Sequence, residues 1–421
     1  MLNWIFSNTP LLFLVQSLWR DEAFSYLLAK RNIFTMFVLT AKDFNPPFYY
    51  LFLHFWIKLF GGSEISLRTV SFLFYWIAIY AAFLFMTGIL RFKTKKAFLY
   101  LILFVINPFL IYYAFEARMY SMFAAFASLS LYAFYKKDKK LYIVSTLLGL
   151  YTHYFMIFIV VFQFLYSRFI DYKKKIYWLP VVLFLPWVLF FLLQKGLYTG
   201  SFWITGAGLD TLVSLLGITY TGYEVSLSFY KFPVILLSLA FLVLIIIRFE
   251  RKRLFIYLLS WSVGISLLII LLSVVKPIFW PRYIIFSSTG FLLLLIYIID
   301  KLEIKLKTIV LAILLLVTLL YNNLQVKYRT KSDLRTTINE IKASAKPGDV
   351  LYVTNELNFF VSEYYFSENR VYIYGKNYSD LPDFIGKVLI SPSQIAKSLP
   401  VYPKKAFILT SDTHYEVESA L

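Results

Sequence analysis

The chain has 421 residues, of which 60% are hydrophobic, 21% aromatic and only 15% charged, and its mean hydropathy is +0.71. This composition excludes an ordinary soluble domain and is typical of a multi-span membrane protein. The net charge of +19 lies almost entirely in residues 1–321, where 30 basic and 12 acidic side chains occupy mostly short loops, so the positive-inside rule explains it without a nucleic-acid partner. The chain contains no cysteine, which excludes disulfides, thiol catalysis and thiolate metal sites.

The first 66 residues combine a marginal membrane span with a long loop. Residues 1–18 are interrupted by Asn8-Thr9-Pro10 and are shorter than the roughly 20 residues that a bilayer requires. We therefore expect a first helix that is either tilted and irregular or truncated by a late start codon, and no cleavage site follows it, so it is predicted to remain as an anchor. Residues 20–66 are predicted to form a long first outer loop, in which the apolar stretch 48–60 either lies along the membrane interface or dips into the membrane and out again.

Ten further apolar segments bring the prediction to about 11 transmembrane helices. They lie at about 68–90, 97–113, 119–135, 141–152, 154–168, 176–193, 225–247, 254–275, 283–300 and 308–321. Basic loops such as 136–140 and 173–175 are predicted on the cytoplasmic side of the plasma membrane. The first loop, the turn at His153, the loop 194–224 and the C-terminal hundred residues then lie outside.

Residues 322–421 have the pattern of a small soluble domain. A helix is predicted from Ser332 to about Lys346, and further helical stretches at 355–366 and 392–398. Strands are predicted at 350–354, 370–374 and 405–410. Strands that alternate with helices predict a small parallel α/β domain. The predicted fold is thus an α-helical polytopic membrane protein, residues 1–321, followed by an extracytoplasmic α/β domain, residues 322–421.

The adjacent carboxylates Asp21 and Glu22 stand where the first apolar segment ends. Charge beside hydrocarbon is expensive and marks a functional site by default, although acidic residues also suit the start of a helix, here predicted from about Glu22 to Lys30. Side chains of consecutive helical residues diverge by about 100°, so only one of the two is expected to face a cavity. A partly desolvated carboxylate there could act as a general base for a hydroxyl acceptor.

Two outward-facing arginines are candidate phosphate ligands. Arg118, in Glu116-Ala117-Arg118-Met119-Tyr120, can hold a phosphate or carboxylate in forked geometry; the alternative is an ion pair of Glu116 with Arg118 or Arg68 that caps a hairpin. Arg282, followed by Tyr283, is either a second phosphate ligand or an interfacial anchor that snorkels.

The three histidines carry less information. His54 is interpreted as a packed polar side chain, His153 as a possible ligand for a sugar or phosphate, and His414 as incidental. No HExxH, Walker A or GxGxxG motif occurs in a suitable context, so the sequence supports neither nucleotide-driven nor zinc-protease chemistry.

Six short motifs, in one order and all predicted outside, carry a resemblance to a known family. They are Ser17-Leu18-Trp19-Arg20-Asp21-Glu22-Ala23, Asn45-Pro46-Pro47-Phe48-Tyr49-Tyr50, Phe60-Gly61-Gly62-Ser63-Glu64 with Arg68, Glu116-Ala117-Arg118-Met119-Tyr120, Thr152-His153-Tyr154 and Arg282-Tyr283. Over residues 11–300 the chain resembles the C-type (GT-C) multi-pass glycosyltransferases, in particular bacterial relatives of dolichyl-phosphate-mannose protein mannosyltransferases and of the lipid A aminoarabinose transferase. Many relatives have His at the position of Asn45.

The resemblance implies an inverting, mannosyltransferase-like transfer of a hexose or pentose from a polyprenyl phosphate carrier in the bilayer. The acceptor would be a glycan, glycolipid or protein of the cell envelope. Asp21 would be the catalytic base. The implied substrate-binding residues are Glu22, Arg68, Glu116, Arg118, Tyr120, His153, Arg282 and Tyr283.

The residues themselves agree with such chemistry. A glycosyl phosphate already has a good leaving group, so one base and phosphate-binding arginines suffice, whereas glycoside hydrolysis needs a second carboxyl group. No cofactor is required by the sequence, although Asp21, Glu22 or Glu116 could bind a divalent cation. Two alternatives remain at this point: a transporter or flippase for a lipid-linked saccharide, and a non-catalytic assembly protein.

Overall fold

A computed structural model describes residues 2–168, 175–195, 204, 206–224 and 231–421. These residues are about 70% helical and include one small sheet near the C-terminus. The helices are α1 Leu2–Asn8, α2 Leu12–Val15, α3 Arg20–Lys30, α4 Ile33–Lys42, α5 Phe48–Phe60, α6 Glu64–Gly88, α7 Thr94–Val105, α8 Pro108–Ala114, α9 Tyr120–Lys136, α10 Lys139–Thr152, α11 Met156–Tyr166, α12 Lys175–Lys195, α13 Leu209–Val213, α14 Leu215–Thr221, α15 Lys231–Ile247, α16 Arg253–Leu259, α17 Ile265–Val275, α18 Ile285–Asp300, α19 Ile304–Tyr328, α20 Leu334–Ser344 and α21 Phe359–Tyr365. The strands are β1 Val350–Val353, β2 Val371–Tyr374, β3 Ile395–Ala396, β4 Ala406–Ser411 and β5 His414–Glu418.

Long apolar helices confirm a multi-pass membrane protein. Within the described ranges, five helical stretches are long and apolar enough to cross a bilayer, and a sixth results if the bent pair α7 and α8 counts as one span. The predicted total of about 11 spans stays a prediction. Residues 225–230 of one predicted segment, most of the basic loop 173–175 and part of the loop 194–224 lie outside the described residues.

The bend of 71° between α7 and α8 follows from Asn107-Pro108. The Asn107 side-chain oxygen accepts hydrogen bonds from the backbone N–H groups of Phe109 and Leu110, while proline is favoured in the first turn of a new helix. The Asn107 amide also donates to the carbonyl of Tyr220 at 2.9 Å. This junction fixes the direction of α8, which leads to the turn containing Glu116 and Arg118.

The chain forms two compact units. The first contains residues 68–189 and the described part of 202–328, together with α1; the second contains residues 12–67 and 329–421, together with the end of α12. The predicted division at residue 321 stays a prediction, but α19 continues past it, to Tyr328.

The core of the first unit is built around α18, which is buried over almost its whole length. A helix that is apolar on all sides fits such a central position. Gly290 allows α18 to approach Trp261, because a Cβ atom at this position would lie 2.6 Å from the indole Cγ. The indole nitrogen of Trp261 donates to the carbonyl of Phe286 at 3.0 Å.

The second unit contains a five-stranded sheet with the order β3-β2-β1-β4-β5. The first four strands are parallel, as predicted, whereas β5 pairs antiparallel with β4. The predicted strands near 350, 370 and 405 are confirmed. The helix predicted at 392–398 is wrong: Ser391 caps a single 3-10 turn, Pro392–Gln394, and the next residues pair with β2 as β3.

Glu363 on α21 is a buried carboxyl group that should make stability depend on pH. Burial and the nearby charge of Glu368 raise the pKa of Glu363 to about 8, and Gln394 donates to it at 2.8 Å. Between about pH 4.5 and pH 8 the unfolded chain has lost this proton while the folded chain keeps it, so stability falls as the pH rises through this window.

We therefore expect Glu363→Gln, which keeps the hydrogen-bond acceptor, to raise the melting temperature at pH 7.5 and to leave it nearly unchanged at pH 4.5. The gain corresponds to about 1.4 kcal/mol for each pH unit above the unfolded pKa. Thermal unfolding in detergent at both pH values measures it, with the exposed Glu340→Gln as control. An equal change at both pH values would contradict this explanation.

Candidate functional site

Asp21 and Glu22 lie in the first turn of α3, in the second unit. The helix begins at Arg20, and the Glu22 carboxylate reaches back to accept a hydrogen bond from the backbone N–H of Trp19 at 3.3 Å. Acidic side chains stabilise a helix at this end. The prediction that Asp21 and Glu22 lie at the start of a helix is therefore confirmed. The chemical role of each carboxylate then depends on its surroundings.

The two carboxylates have different surroundings. Glu22 is fully buried, and its Oε2 lies 3.1 Å from Lys331 Nζ. The Asp21 side chain is 19% exposed, and its Oδ1 lies 3.0 Å from Arg20 Nε. Asp21 is thus the carboxylate of this pair that solvent or a substrate can reach, as expected from their divergence on a helix.

Two further polar residues of the first loop have structural contacts. The Asn45 amide lies 3.4 Å from Asp43 Oδ2. The Nδ1 of buried His54 lies 2.7 Å from the carbonyl oxygen of Ala29 and so connects α5 to α3. The interpretation of His54 as a packed polar side chain is confirmed.

In the first unit, α6 holds the turn that contains Glu116 and Arg118. The Ser71 hydroxyl donates to the carbonyl oxygen of Glu116 at 2.5 Å and lies 3.1 Å from that of Arg118. Arg68 precedes Ser71 by three residues and therefore shares its face of α6. Arg68, Glu116 and Arg118 are all buried, so none of them belongs to a solvated surface.

Arg282 lies in a 3-10 turn before α18 and is also buried. Its guanidinium carbon lies 5.7 Å from the ring centroid of Tyr120 and 6.0 Å from that of Trp280, distances at which cation–π attraction acts. Its Nε lies 3.9 Å from Glu224 Oε1, and the Tyr113 hydroxyl donates to the same oxygen at 2.6 Å. An arginine held between aromatic rings and one carboxylate can orient a phosphate group.

His153 follows α10 and is packed among aromatic rings. It stacks on Phe123 with ring centroids 4.7 Å apart, and Tyr283 lies 5.2 Å away. Burial and the positive charge of Arg118 lower the pKa of His153 to about 3, so the imidazole is neutral at physiological pH. Because Nδ1 accepts a hydrogen bond from the backbone N–H of Phe155, its proton lies on Nε2.

The structure brings several predicted site residues together in the first unit. Tyr120 has ring contacts with both His153 and Tyr283, 6.3 and 6.4 Å between centroids, and Arg282 lies over the Tyr120 ring. We call Tyr120, His153, Arg282 and Tyr283, together with Glu224, the arginine cluster. Asp21 and Glu22 belong to the other unit.

Sequence reasoning missed Glu224 and Tyr113. Asp210 and Glu224 are the only acidic residues between positions 172 and 249, and a lone acid in a strongly apolar region is a candidate functional residue. Nothing in the sequence distinguishes Tyr113 from the other 33 tyrosines. In the part of the chain that the structure describes, no group of three or more His, Asp or Glu side chains could hold a metal ion, and the divalent cation stays a prediction.

Comparisons with known proteins give a match in structure only. No family model matches the sequence, and no curated protein matches it. The solved structures of ArnT from Cupriavidus metallidurans in the apo state and bound to undecaprenyl phosphate match 97% of this chain at 12% identity, with TM-scores of 0.64 and 0.61, and the match covers 90% and 91% of those chains. The resemblance that the motifs predicted is confirmed at the level of the fold: this chain has a fold similar to that of ArnT, a lipid A aminoarabinose transferase.

Proposed function

We propose that this protein is an inverting glycosyltransferase that moves a sugar from a polyprenyl phosphate carrier to an acceptor. The proposal rests on the buried arginine cluster, in which Arg282 can bind a phosphate group. The fold of the chain, which is similar to that of ArnT, supports it. One solved structure of ArnT has undecaprenyl phosphate bound, so this fold can accommodate a polyprenyl phosphate.

The proposed reaction needs one proton acceptor. The acceptor hydroxyl oxygen attacks the anomeric carbon of the donor sugar while the bond between that carbon and the phosphate oxygen breaks. The polyprenyl phosphate leaves with the electron pair, and the Asp21 carboxylate takes the hydroxyl proton. Attack from the face opposite the leaving group inverts the anomeric configuration.

The arginines stabilise the charge that develops on the departing phosphate. Arg282 and Arg118 are assigned as its ligands, because a guanidinium can donate two parallel hydrogen bonds to phosphate oxygens. Neutral His153 can donate from Nε2 to a sugar or phosphate oxygen, with Tyr120 and Tyr283 packed around it. Substrate-binding roles for Arg68 and Glu116 stay predictions.

We further propose that the protein lies in the cytoplasmic membrane with about 11 spans. Its first loop and its α/β domain would lie outside, where a glycan, glycolipid or protein of the cell envelope would accept the sugar. The basic loops support this orientation through the positive-inside rule. A panel of donors that carry different sugars identifies the sugar that is transferred.

The test is an assay of the purified protein with synthetic prenyl phosphates that carry different hexoses, pentoses and amino sugars. Release of free prenyl phosphate in the presence of a saccharide acceptor is expected for at least one donor, and nucleotide sugars, as control donors, should give no transfer. If no prenyl phosphate is released with any donor across a broad acceptor panel, while labelled donor crosses the bilayer of proteoliposomes, the protein is a transporter instead.

A further inference from the structure

The segment that leads to Asp21 is irregular and depends on other parts of the second unit for its hydrogen bonds. Helix α2 ends at Val15 and α3 begins at Arg20, so the regular helical pattern is interrupted between them, although the Gln16 N–H still donates to the carbonyl oxygen of Leu12 at 3.0 Å. Buried backbone N–H and C=O groups need hydrogen-bond partners. Ser17 and Leu18 are buried, and three residues of the C-terminal part of the chain, Lys331, Arg335 and Tyr365, bind this segment.

Lys331 contacts the segment at two points. Its backbone N–H donates to the side-chain oxygen of Gln16 at 3.0 Å, and its ammonium group donates to buried Glu22 at 3.1 Å. The same ammonium group lies 5.0 Å from the centroid of a Trp19 ring. Lys331 therefore holds the chain on both sides of the turn that begins α3.

Arg335 and Tyr365 bind the residues between those points. Arg335 donates from Nη1 to the carbonyl oxygen of Val15 at 3.2 Å, and its backbone N–H donates to the Ser17 hydroxyl at 3.3 Å. The Tyr365 hydroxyl accepts from the backbone N–H of Leu18 at 2.9 Å.

Glu64 joins these two side chains. Its carboxylate accepts from Arg335 Nη1 at 2.7 Å and from the Tyr365 hydroxyl. The orientation of both side chains is therefore fixed by a residue of the first loop, and the hydrogen bonds to residues 15–18 are formed by groups with little freedom to turn away.

We propose that Lys331, Arg335 and Tyr365 form a clamp that positions Asp21. The clamp gives the C-terminal domain a role in the reaction that does not require it to touch the acceptor. The part of this inference that concerns catalysis rests on the proposed function, because it takes Asp21 as the base. An error of about 1 Å in the position of a catalytic group can lower a rate about 100-fold.

The clamp itself is tested without any activity, by hydrogen–deuterium exchange of the purified full-length protein. In Lys331→Met and in Tyr365→Phe, the backbone amides of residues 16–23 should exchange about tenfold faster or more than in the wild type. The exposed residues Lys397 and Tyr402 provide matched controls, Lys397→Met and Tyr402→Phe, which should leave this exchange unchanged.

The catalytic consequence is tested on the same variants. In Lys331→Met the turnover number should fall about tenfold or more, whereas the KM for the prenyl phosphate donor should stay within twofold of the wild-type value. Lys331→Arg, which retains the charge, should recover most of the turnover number. A merely structural role would instead lower the fraction of folded protein without this separation of turnover number from KM.

Unchanged exchange of residues 16–23 in both variants would overturn the clamp, whether or not transfer is detected. Faster exchange with an unchanged turnover number would overturn the positioning of Asp21. Absence of transfer in the wild type would overturn the proposed function, while the exchange data would still decide the clamp. If Lys331→Met does not fold, Tyr365→Phe, which removes one hydroxyl group, decides both points.

Discussion

Asp21→Asn is expected to lower the turnover number for sugar transfer about 100-fold or more, because general-base catalysis contributes roughly 10²–10⁴-fold to a rate. Asparagine has the shape of aspartate but cannot take the proton of the acceptor hydroxyl. The substitution should leave the KM for the prenyl phosphate donor nearly unchanged, because the proposed phosphate ligands are arginines. Release of prenyl phosphate, measured against donor concentration, gives both quantities.

The control for this prediction is Asp383→Asn, an exposed aspartate of the second unit, which should retain full activity. Asp21→Glu should keep part of the activity, since a carboxylate is retained at the wrong distance. Because Glu22 is buried against Lys331, it should not replace the missing base. Transfer by Asp21→Asn at more than a tenth of the wild-type rate would exclude Asp21 as the catalytic base.

The sequence predicted the positions of most apolar helices, because a long apolar segment in a bilayer has few alternatives to a helix; the total of about 11 spans stays a prediction. The bend at Asn107 was not predicted, since the apolar pattern runs through it. The last apolar segment was predicted to end at residue 321, whereas α19 continues to Tyr328. The sequence becomes more polar after residue 321, but the helical hydrogen bonds continue. The strand β5 was missed because its five residues lie at the edge of the sheet and are mostly exposed, so they give a weak apolar signal.

The sequence indicated individual candidate site residues, but it could not indicate their partners in the fold. Lys331 and Glu22 are 309 positions apart, and no periodicity connects residues at such a distance. Glu224 shares the environment of Arg282 and Tyr113 only after folding. A motif shows that a residue type is suited to a reaction, but the fold determines whether a carboxylate is buried, as Glu22 is, or accessible, as Asp21 is.

Arg282→Gln is expected to raise the dissociation constant for the polyprenyl phosphate group about 10- to 100-fold. A hydrogen bond to a charged group contributes about 1.5–3 kcal/mol, and each 1.4 kcal/mol corresponds to a factor of about ten in affinity. Arg282→Lys should recover only part of the affinity, because an ammonium group cannot form the bidentate contact. Binding of a prenyl phosphate, measured by titration of the purified protein, determines these constants.

Arg370→Gln is the matched control, because Arg370 also lies over an aromatic ring, 4.7 Å from the centroid of Phe366, but outside the arginine cluster.

A loss of affinity in Arg282→Gln could also arise indirectly, from a Glu224 carboxylate that has lost a nearby positive charge. The double variant Arg282→Gln with Glu224→Gln separates the two causes, since coupled residues depart from additivity. If the double variant regains wild-type affinity, Arg282 acts by neutralising Glu224; if its affinity stays low, Arg282 binds the phosphate itself, as the proposed function requires.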